Sequence, residues 1–514
     1  MTLRLRSTAA GLATVIAIAY ACTSSGGDTE GAEGPFRPSF EEATCPDDVA
    51  AVILTFVSCG YLTVLEDRAD PDGPTIRLFV TKIEPADGPV DPDPMFTIGY
   101  DLASIPSYAS IGPLAQRMGR VTYLMDQRGA GHSRPLLECP EVTEVAEQVT
   151  GARLSDPAAR AELLGAVERC RDRLTDSGID LSAYTLEQSA ADVEDLRRAL
   201  GIPSWNVMSW GSDSRVVFEL MRRSPDGLRS VTFHGPQVPQ LDAITEAPGD
   251  TREAIAEVAA VCAEDRRCNR AYPDLVAAFA LAIERLDREP VEVDVEGASR
   301  LVVVDGAAFV RAIRNLISDS DLAMVPRIPA TIDAALGGDV GEVAAFLADD
   351  RHACAGYLGD CTLGYAFSHG AYYSALCHDM APFVDRAALG RAIDDDPAWT
   401  NAFGEHPYLE ICEVWDVAAG DALVHEPVSS DVPVLIFRGQ FDAYSSRTAV
   451  DAAAERLSGA EVVHVAYQNH DIKGLIECYR GVRRDWLDRP TEPLDTSCLD
   501  GMAPPVFTNV EPSA

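Results

Sequence analysis

The segment Trp205-Asn206-Val207-Met208-Ser209-Trp210-Gly211-Ser212-Asp213-Ser214-Arg215 constrains the fold more than any other, because it passes from a strand pattern to a helix pattern within a few residues. Ahead of it, Val193, Leu196 and Leu200 share one helical face, and Gly201 can supply the left-handed stop. Behind it, Val217, Leu220 and Met221 give a second helix its inward face. Helix, strand, tight turn and helix in succession build a parallel sheet covered by helices. The alternation begins at Gly60, with candidate strands at Tyr61–Leu65, Ile76–Ile83, Met95–Ile98, Val121–Met125, Trp205–Met208, Ser230–His234, Val432–Arg438 and Val462–Ala466. The fold class expected is therefore α/β, with a mainly parallel sheet flanked by helices.

The pattern changes at about Pro236. From there to Ser430 the segments are Ala-rich and helical, as at Ile255, Val258, Ala259 and Cys262, and the strand pattern resumes only at Val432. A helical insertion between two late strands reads as a lid over the sheet's C-terminal edge, where open α/β folds place ligands. With 514 residues and 47% hydrophobic content, the chain can bury the large core such an arrangement requires.

The N-terminus carries Arg4 and Arg6, an apolar stretch from Ala9 to Ile18, and then Ala19-Tyr20-Ala21-Cys22. These are the charged, apolar and small-residue regions of an export signal. Ala19-Tyr20-Ala21-Cys22 also resembles a bacterial lipoprotein processing site with Cys22 as the lipidated residue, although Tyr20 is bulky; simple cleavage after Ala21 is the alternative. Residues 1–21 are thus expected to be a signal peptide and 22–44 a flexible tether, since Thr23 to Gly34 is Ser-, Gly- and Glu-rich without periodicity. The core is expected over 45–235 and 431–500, the lid over 236–430 and a tail over 501–514. The destination is the cell envelope, through a lipid anchor in a membrane or as a soluble exported protein.

Setting Cys22 aside leaves twelve of the 13 cysteines, an even number suited to disulfides in an oxidising compartment. Sequence-near couples are Cys45 with Cys59, Cys139 with Cys170, Cys262 with Cys268, Cys354 with Cys361, Cys377 with Cys412 and Cys478 with Cys498, though spacing alone does not fix connectivity. No C-x-x-C pair or histidine cluster accompanies them, so no metal site is expected. With 42 Lys and Arg against 81 Asp and Glu, the net charge of −39 argues against nucleic-acid partners.

Asp126-Gln127-Arg128-Gly129-Ala130-Gly131-His132-Ser133-Arg134-Pro135 directly follows a candidate strand and reads as a tight hydrogen-bonded loop. Together with Asp192–Gly201, Trp205–Arg223 and Asp495-Thr496-Ser497-Cys498, it resembles the α/β-hydrolase family of proline iminopeptidases and secreted tripeptidyl aminopeptidases. The resemblance runs from about Cys45 to Cys498 and implies an α/β-hydrolase fold. It also implies acyl transfer from peptide or ester substrates by a Ser, Asp, His triad, with no metal or organic cofactor.

Counted without gaps, the family's serine position falls on Gly211, and Ser209 and Asp213 take the places of the flanking glycines. A register shifted by two residues would make Ser209 the nucleophile, and Ser212 is a weaker alternative. Asp442, in Gly439-Gln440-Phe441-Asp442, matches the triad acid; its bland reading is a turn or capping aspartate. His470, in Gln468-Asn469-His470-Asp471, matches the base on a loop that has lost the family's glycines; otherwise it is an ordinary loop histidine. The family's glycine-rich oxyanion loop is replaced by Gly99-Tyr100-Asp101-Leu102-Ala103-Ser104, where Asp101 would oppose a developing anion and Tyr100 stands beside it. Two functions remain open: a degenerate hydrolase that binds a peptide or small-molecule ester in the cleft, or an active aminopeptidase or esterase using Ser209, Ser212 or a water activated by His470.

Overall fold

The central strands are apolar on both faces, which is what a sheet covered by helices on both sides demands. In the computed structural model, residues 36–52, 56–85, 92–98, 113–115, 117–149, 156–298, 301–318, 324–348, 367–394, 399, 403, 407–470, 472 and 477–508 are described. Cys22, the loop Gly99–Ser104 with Tyr100 and Asp101, and Cys354 and Cys361 lie outside them. The strands of the main sheet are β1 (Ser39–Ala43), β2 (Phe56–Leu65), β3 (Thr75–Glu84), β4 (Met95–Ile98), β5 (Thr122–Met125), β6 (Trp205–Trp210) and β7 (Leu228–His234). After a hairpin of β8 (Val291–Val293) and β9 (Val302–Val304), β10 (Val434–Gly439) and β11 (Ala460–Val465) return to it.

These nine strands order as β1-β2-β3-β5-β4-β6-β7-β10-β11. From β5 to β11 every neighbouring pair is parallel, and β1, β2 and β3 extend one edge in antiparallel fashion. All residues of β4 and β10 are buried, as are all but one of β6 and of β7. Val207, Val231, Val434 and Ile436 meet the helices Leu186–Ala199 and Ser214–Arg223 through Val193, Leu196, Val217 and Leu220 in one apolar cluster. Each such fully buried branched side chain contributes about 1.5–3 kcal/mol.

One boundary needs correction. The tether expected over 22–44 ends earlier, because Ser39–Ala43 pairs antiparallel with β2, Ser39 opposite Thr63 and Ala43 opposite Cys59. Its sequence, SFEEA, is too polar to announce a strand, since an edge strand has only one neighbour and leaves most side chains in water. The Cys45–Cys59 disulfide closes the loop that sets it there.

Between β7 and β10 the chain is mostly helical, but the insertion has two separate cores. Its first part, helices Ala243–Glu264, Leu275–Arg288, Gly306–Ser318, Ile328–Gly337 and Gly341–Ala348, closes around Val258, Phe279, Ile283, Phe309, Ile313 and Ile332. Its second part, helices His369–Ala375 and Tyr408–Trp415, packs through Tyr373, Ile411 and Trp415 onto Leu163, Val167 and Leu174 of helix Pro157–Asp176. That helix belongs to a second insertion, between β5 and β6, which the sequence pattern groups with the core around the sheet.

Among the described residues five disulfides form: Cys45–Cys59, Cys139–Cys170, Cys262–Cys268, Cys377–Cys412 and Cys478–Cys498. Such a set persists in oxidising compartments outside the cytosol. Among the described residues no helix is long and apolar enough to cross a membrane.

Candidate active site

At the C-terminal end of β6 the chain reverses into helix Ser214–Arg223 through a short 3₁₀ turn, Gly211–Asp213. Gly211 opens that turn with φ +48°, a left-handed conformation that costs any residue with a Cβ about 1–2 kcal/mol. A Cβ placed there would lie 3.2 Å from His470 Nε2. The turn is held from two sides. Gln237 N–H donates to Gly211 O at 3.2 Å, and Gln127 Nε2 donates to the buried Asp213 carboxylate at 2.8 Å.

Ser209 lies inside β6, fully buried, paired with Phe233 in the sheet register, and its hydroxyl has no hydrogen-bond partner among the described residues. It is not on the turn. Ser212 is on the turn, the residue after Gly211, and its side chain is exposed.

Asp442 lies on the loop after β10 and His470 on the loop after β11. Asp442 is fully buried, and its Oδ1 stands 2.9 Å from His470 Nδ1. The same oxygen accepts the backbone N–H groups of Tyr444 and Ser445 at 2.9 and 3.1 Å. Burial alone would raise the Asp442 carboxyl, but His470, Arg438 and the Tyr444 N–H favour its anion and hold it below the usual carboxylate range. His470 Nε2 is left facing the Gly211 position, as a base oriented by an acid would be.

The histidine loop is glycine-free from Tyr467 to Asp471 yet has one glycine-like bend, since Tyr467 has φ +57°. Gln440 supports it, its Oε1 accepting Tyr467 N–H at 3.0 Å.

Several residues that hold this pair were not singled out from sequence. Gly235, directly after β7, has φ +51°, and a Cβ there would come within 2.7 Å of His470 Nδ1 and 2.8 Å of Asp442 Oδ2. Its signal was a glycine at a strand's C-terminal end, as at Gly211. Arg438 is the one cation in the apolar run Val434–Phe437-Arg438, and it is buried. It donates to the carbonyls of Ser445 (2.7 Å), Gly439 (3.0 Å) and Asp442 (3.3 Å) and to Glu253 Oε1 of the helical insertion (2.8 Å). From helix Gly306–Ser318 of the insertion, Arg314 lies 4.2 Å over the Tyr444 ring, and that ring meets His470 edge-on at 5.2 Å.

Asp250, on helix Ala243–Glu264 of the insertion, is 7% exposed. Burial first, with the charges of Asp442, Glu246 and Glu253 against that of Arg314, pushes its carboxyl up to about 7. The folded protein therefore prefers the neutral acid. The stability this contributes is complete below the unfolded carboxyl's ordinary value near 3.8 and is lost as pH rises through about 7. Asp250→Asn is expected to raise stability at pH 8 by on the order of 2 kcal/mol and to leave pH 4 nearly unchanged. Urea unfolding at the two pH values checks this, and an equal shift at both would contradict it.

A mainly parallel sheet covered by helices, a strand-to-helix elbow and an Asp–His pair on the loops after the last two strands define the α/β-hydrolase fold. Residues 396–498, which contain β10, β11, Asp442 and His470, match the family model Abhydrolase_4, described as TAP-like protein, in agreement with the resemblance read from sequence. Similar solved structures include an esterase from Thermogutta terrifontis, 16% identical, covering 84% of this chain and 99% of its own, with a TM-score of 0.37. A proline iminopeptidase from Mycobacterium smegmatis is 14% identical, with 81% and 96% covered and a TM-score of 0.35. A proline iminopeptidase-related protein from Thermus thermophilus is 15% identical, with 85% and 99% covered and a TM-score of 0.37. No curated protein matches the chain.

Proposed function

We propose that this protein is a degenerate α/β hydrolase, a binding protein that holds a peptide or small ester in the cleft beneath its lid and lacks serine-dependent turnover. One observation carries the reading. The elbow residue whose side chain would face His470 Nε2 at 3.2 Å is glycine, so the base has no hydroxyl there to deprotonate. Glycine also removes the backbone strain that a serine would impose at φ +48°. Export through the N-terminal signal and lipid attachment at Cys22 complete the proposal, and the five disulfides favour export.

The second reading is an active hydrolase. The oriented Asp442–His470 pair favours it, because a water in the space left by the missing side chain would stand where His470 can act as general base. Ser209 and Ser212 are less well placed as nucleophiles, one within the strand and the other one residue past the position that faces His470.

Fluorophosphonate labelling with peptide mapping, run with peptide and ester turnover assays, separates these readings. The wild type is expected to stay unlabelled and to show no turnover that depends on His470. Gly211→Ser is expected to become labelled at the new serine while losing about 1–2 kcal/mol of stability. Labelling of the wild type at Ser209 or Ser212, or turnover abolished by His470→Ala, would establish the active enzyme instead.

A further inference from the structure

Around helix Glu477–Asp488, Arg120 pairs with Asp93 and Asp488, and Arg229 pairs with Asp93. Three further arginines, Arg117, Arg480 and Arg483, gather by the same helix. Arg480 and Arg483 are three residues apart on that helix and so share a face, with Cβ atoms about 5–6 Å apart. Arg117 belongs to a segment whose Leu114, Ala115 and Met118 pack into the same apolar cluster as Tyr479, Val482 and Trp486 of the helix.

Arg483 is 3% exposed, and its buried Nε has no hydrogen-bond partner among the described residues; the Nε of Arg480 is in the same condition. Among the described residues the carboxylate paired with the group is Glu477, 3.6 Å from Arg480 and itself 94% exposed, a weak partner in water. Burial, and after it the charges of Arg480 and Arg483, pull the Arg117 guanidinium below its usual range. Burial does the same to Arg483, with Arg480 adding to it, against Tyr479, whose hydroxyl accepts a hydrogen bond from the guanidinium.

Like charges brought together, with the buried Nε donors of Arg480 and Arg483 unfilled among the described residues and Arg117 exposed beside them, favour an anion between them. We propose that Arg117, Arg480 and Arg483 form a binding site for a phosphate group, either the free ion or a phosphomonoester. Three guanidiniums exceed what a single carboxylate neutralises, and their planar donor forks match the oxygens of a dianion. The site is independent of whether the cleft is catalytic. It is nevertheless linked to it: the Arg483 guanidinium lies 5.2 Å over the Tyr479 ring, and the Tyr479 hydroxyl is 2.6 Å from His234 Nδ1. His234 stacks on Trp210, just before Gly211, and directly precedes Gly235.

The test is titration calorimetry of the whole protein with inorganic phosphate and with glycerol phosphate at constant ionic strength, with acetate as the carboxylate control. Thermal melts in chloride and in phosphate accompany it, on wild type and on the Arg117→Gln/Arg480→Gln double variant. Saturable phosphate binding by the wild type, weakened at least tenfold in the variant, is expected, and the tighter of the two phosphates identifies the source. In chloride the variant should melt no lower than wild type, because like charges have been removed, and in phosphate it should melt lower. No saturable binding, equal binding by the variant, acetate binding as tightly as phosphate, or a variant destabilised equally in both salts would each overturn the proposal.

Discussion

Replacing Asp192 with alanine is expected to cost about 3–5 kcal/mol, the largest single loss in the sheet-side half of the protein. Asp192 and Arg128 are each 1% exposed and form a two-pronged pair, Nε to Oδ2 and Nη2 to Oδ1, both at 2.8 Å. Arg68 adds a third contact to Asp192 at 2.6 Å, and Arg128 also donates to the carbonyl of Glu66 at 2.7 Å. The network therefore ties the loop after β5 to helix Leu186–Ala199, which precedes the elbow strand. Removing the carboxylate leaves the buried Arg128 guanidinium on the carbonyls of Glu66 and Ala183 without its paired countercharge. Urea unfolding measures the loss, and a change below about 1 kcal/mol would mean that water compensates the charge in place of Asp192.

Gly235→Ala comes next, at about 2–4 kcal/mol. Its Cβ would fall 2.7 Å from His470 Nδ1 and 2.8 Å from Asp442 Oδ2, on a backbone at φ +51°. The clash and the conformational strain add, and neither ring nor carboxylate can retreat without breaking the 2.9 Å bond between them. Gly211→Ala, with its Cβ at 3.2 Å from His470 Nε2, should cost only about 1 kcal/mol. Thermal unfolding of the two variants side by side checks the order, and equal losses would show that the loop of His470 yields freely.

The strands of the main sheet were legible where two-sided burial wrote continuous apolar runs, as in Val434–Phe437 of β10 and Met95–Ile98 of β4. β1 was not, because an edge strand carries no such run, and β8 and β9 were too short to stand out inside a helical stretch. The partnership of helix Pro157–Asp176 with the late helices of the insertion left no trace in any periodicity, since an inward face does not say which element it meets. At the site, Gly211, Asp442 and His470 were singled out through the loops that resemble the family's, because such a match is local, and the structure brings the three together. Arg438, Gly235 and Asp250 were not, because their roles depend on what approaches them from other parts of the chain.

Arg438 bears on how such a chain can change over generations. Its guanidinium fastens the Asp442 loop to Glu253 of the helical insertion, Asp442 in turn fixes the backbone at Tyr444 and Ser445, and the Asp442–His470 pair fills the space that Gly235 leaves open. Asp442 and His470 are thus part of the packing between the sheet and the helical insertion, and discarding either damages the fold. Position 211 has no such second duty, and glycine there leaves the backbone unstrained. Under the proposed reading, a lineage released from the need to turn over substrate would shed a nucleophile at that position first and carry the pair along as masonry.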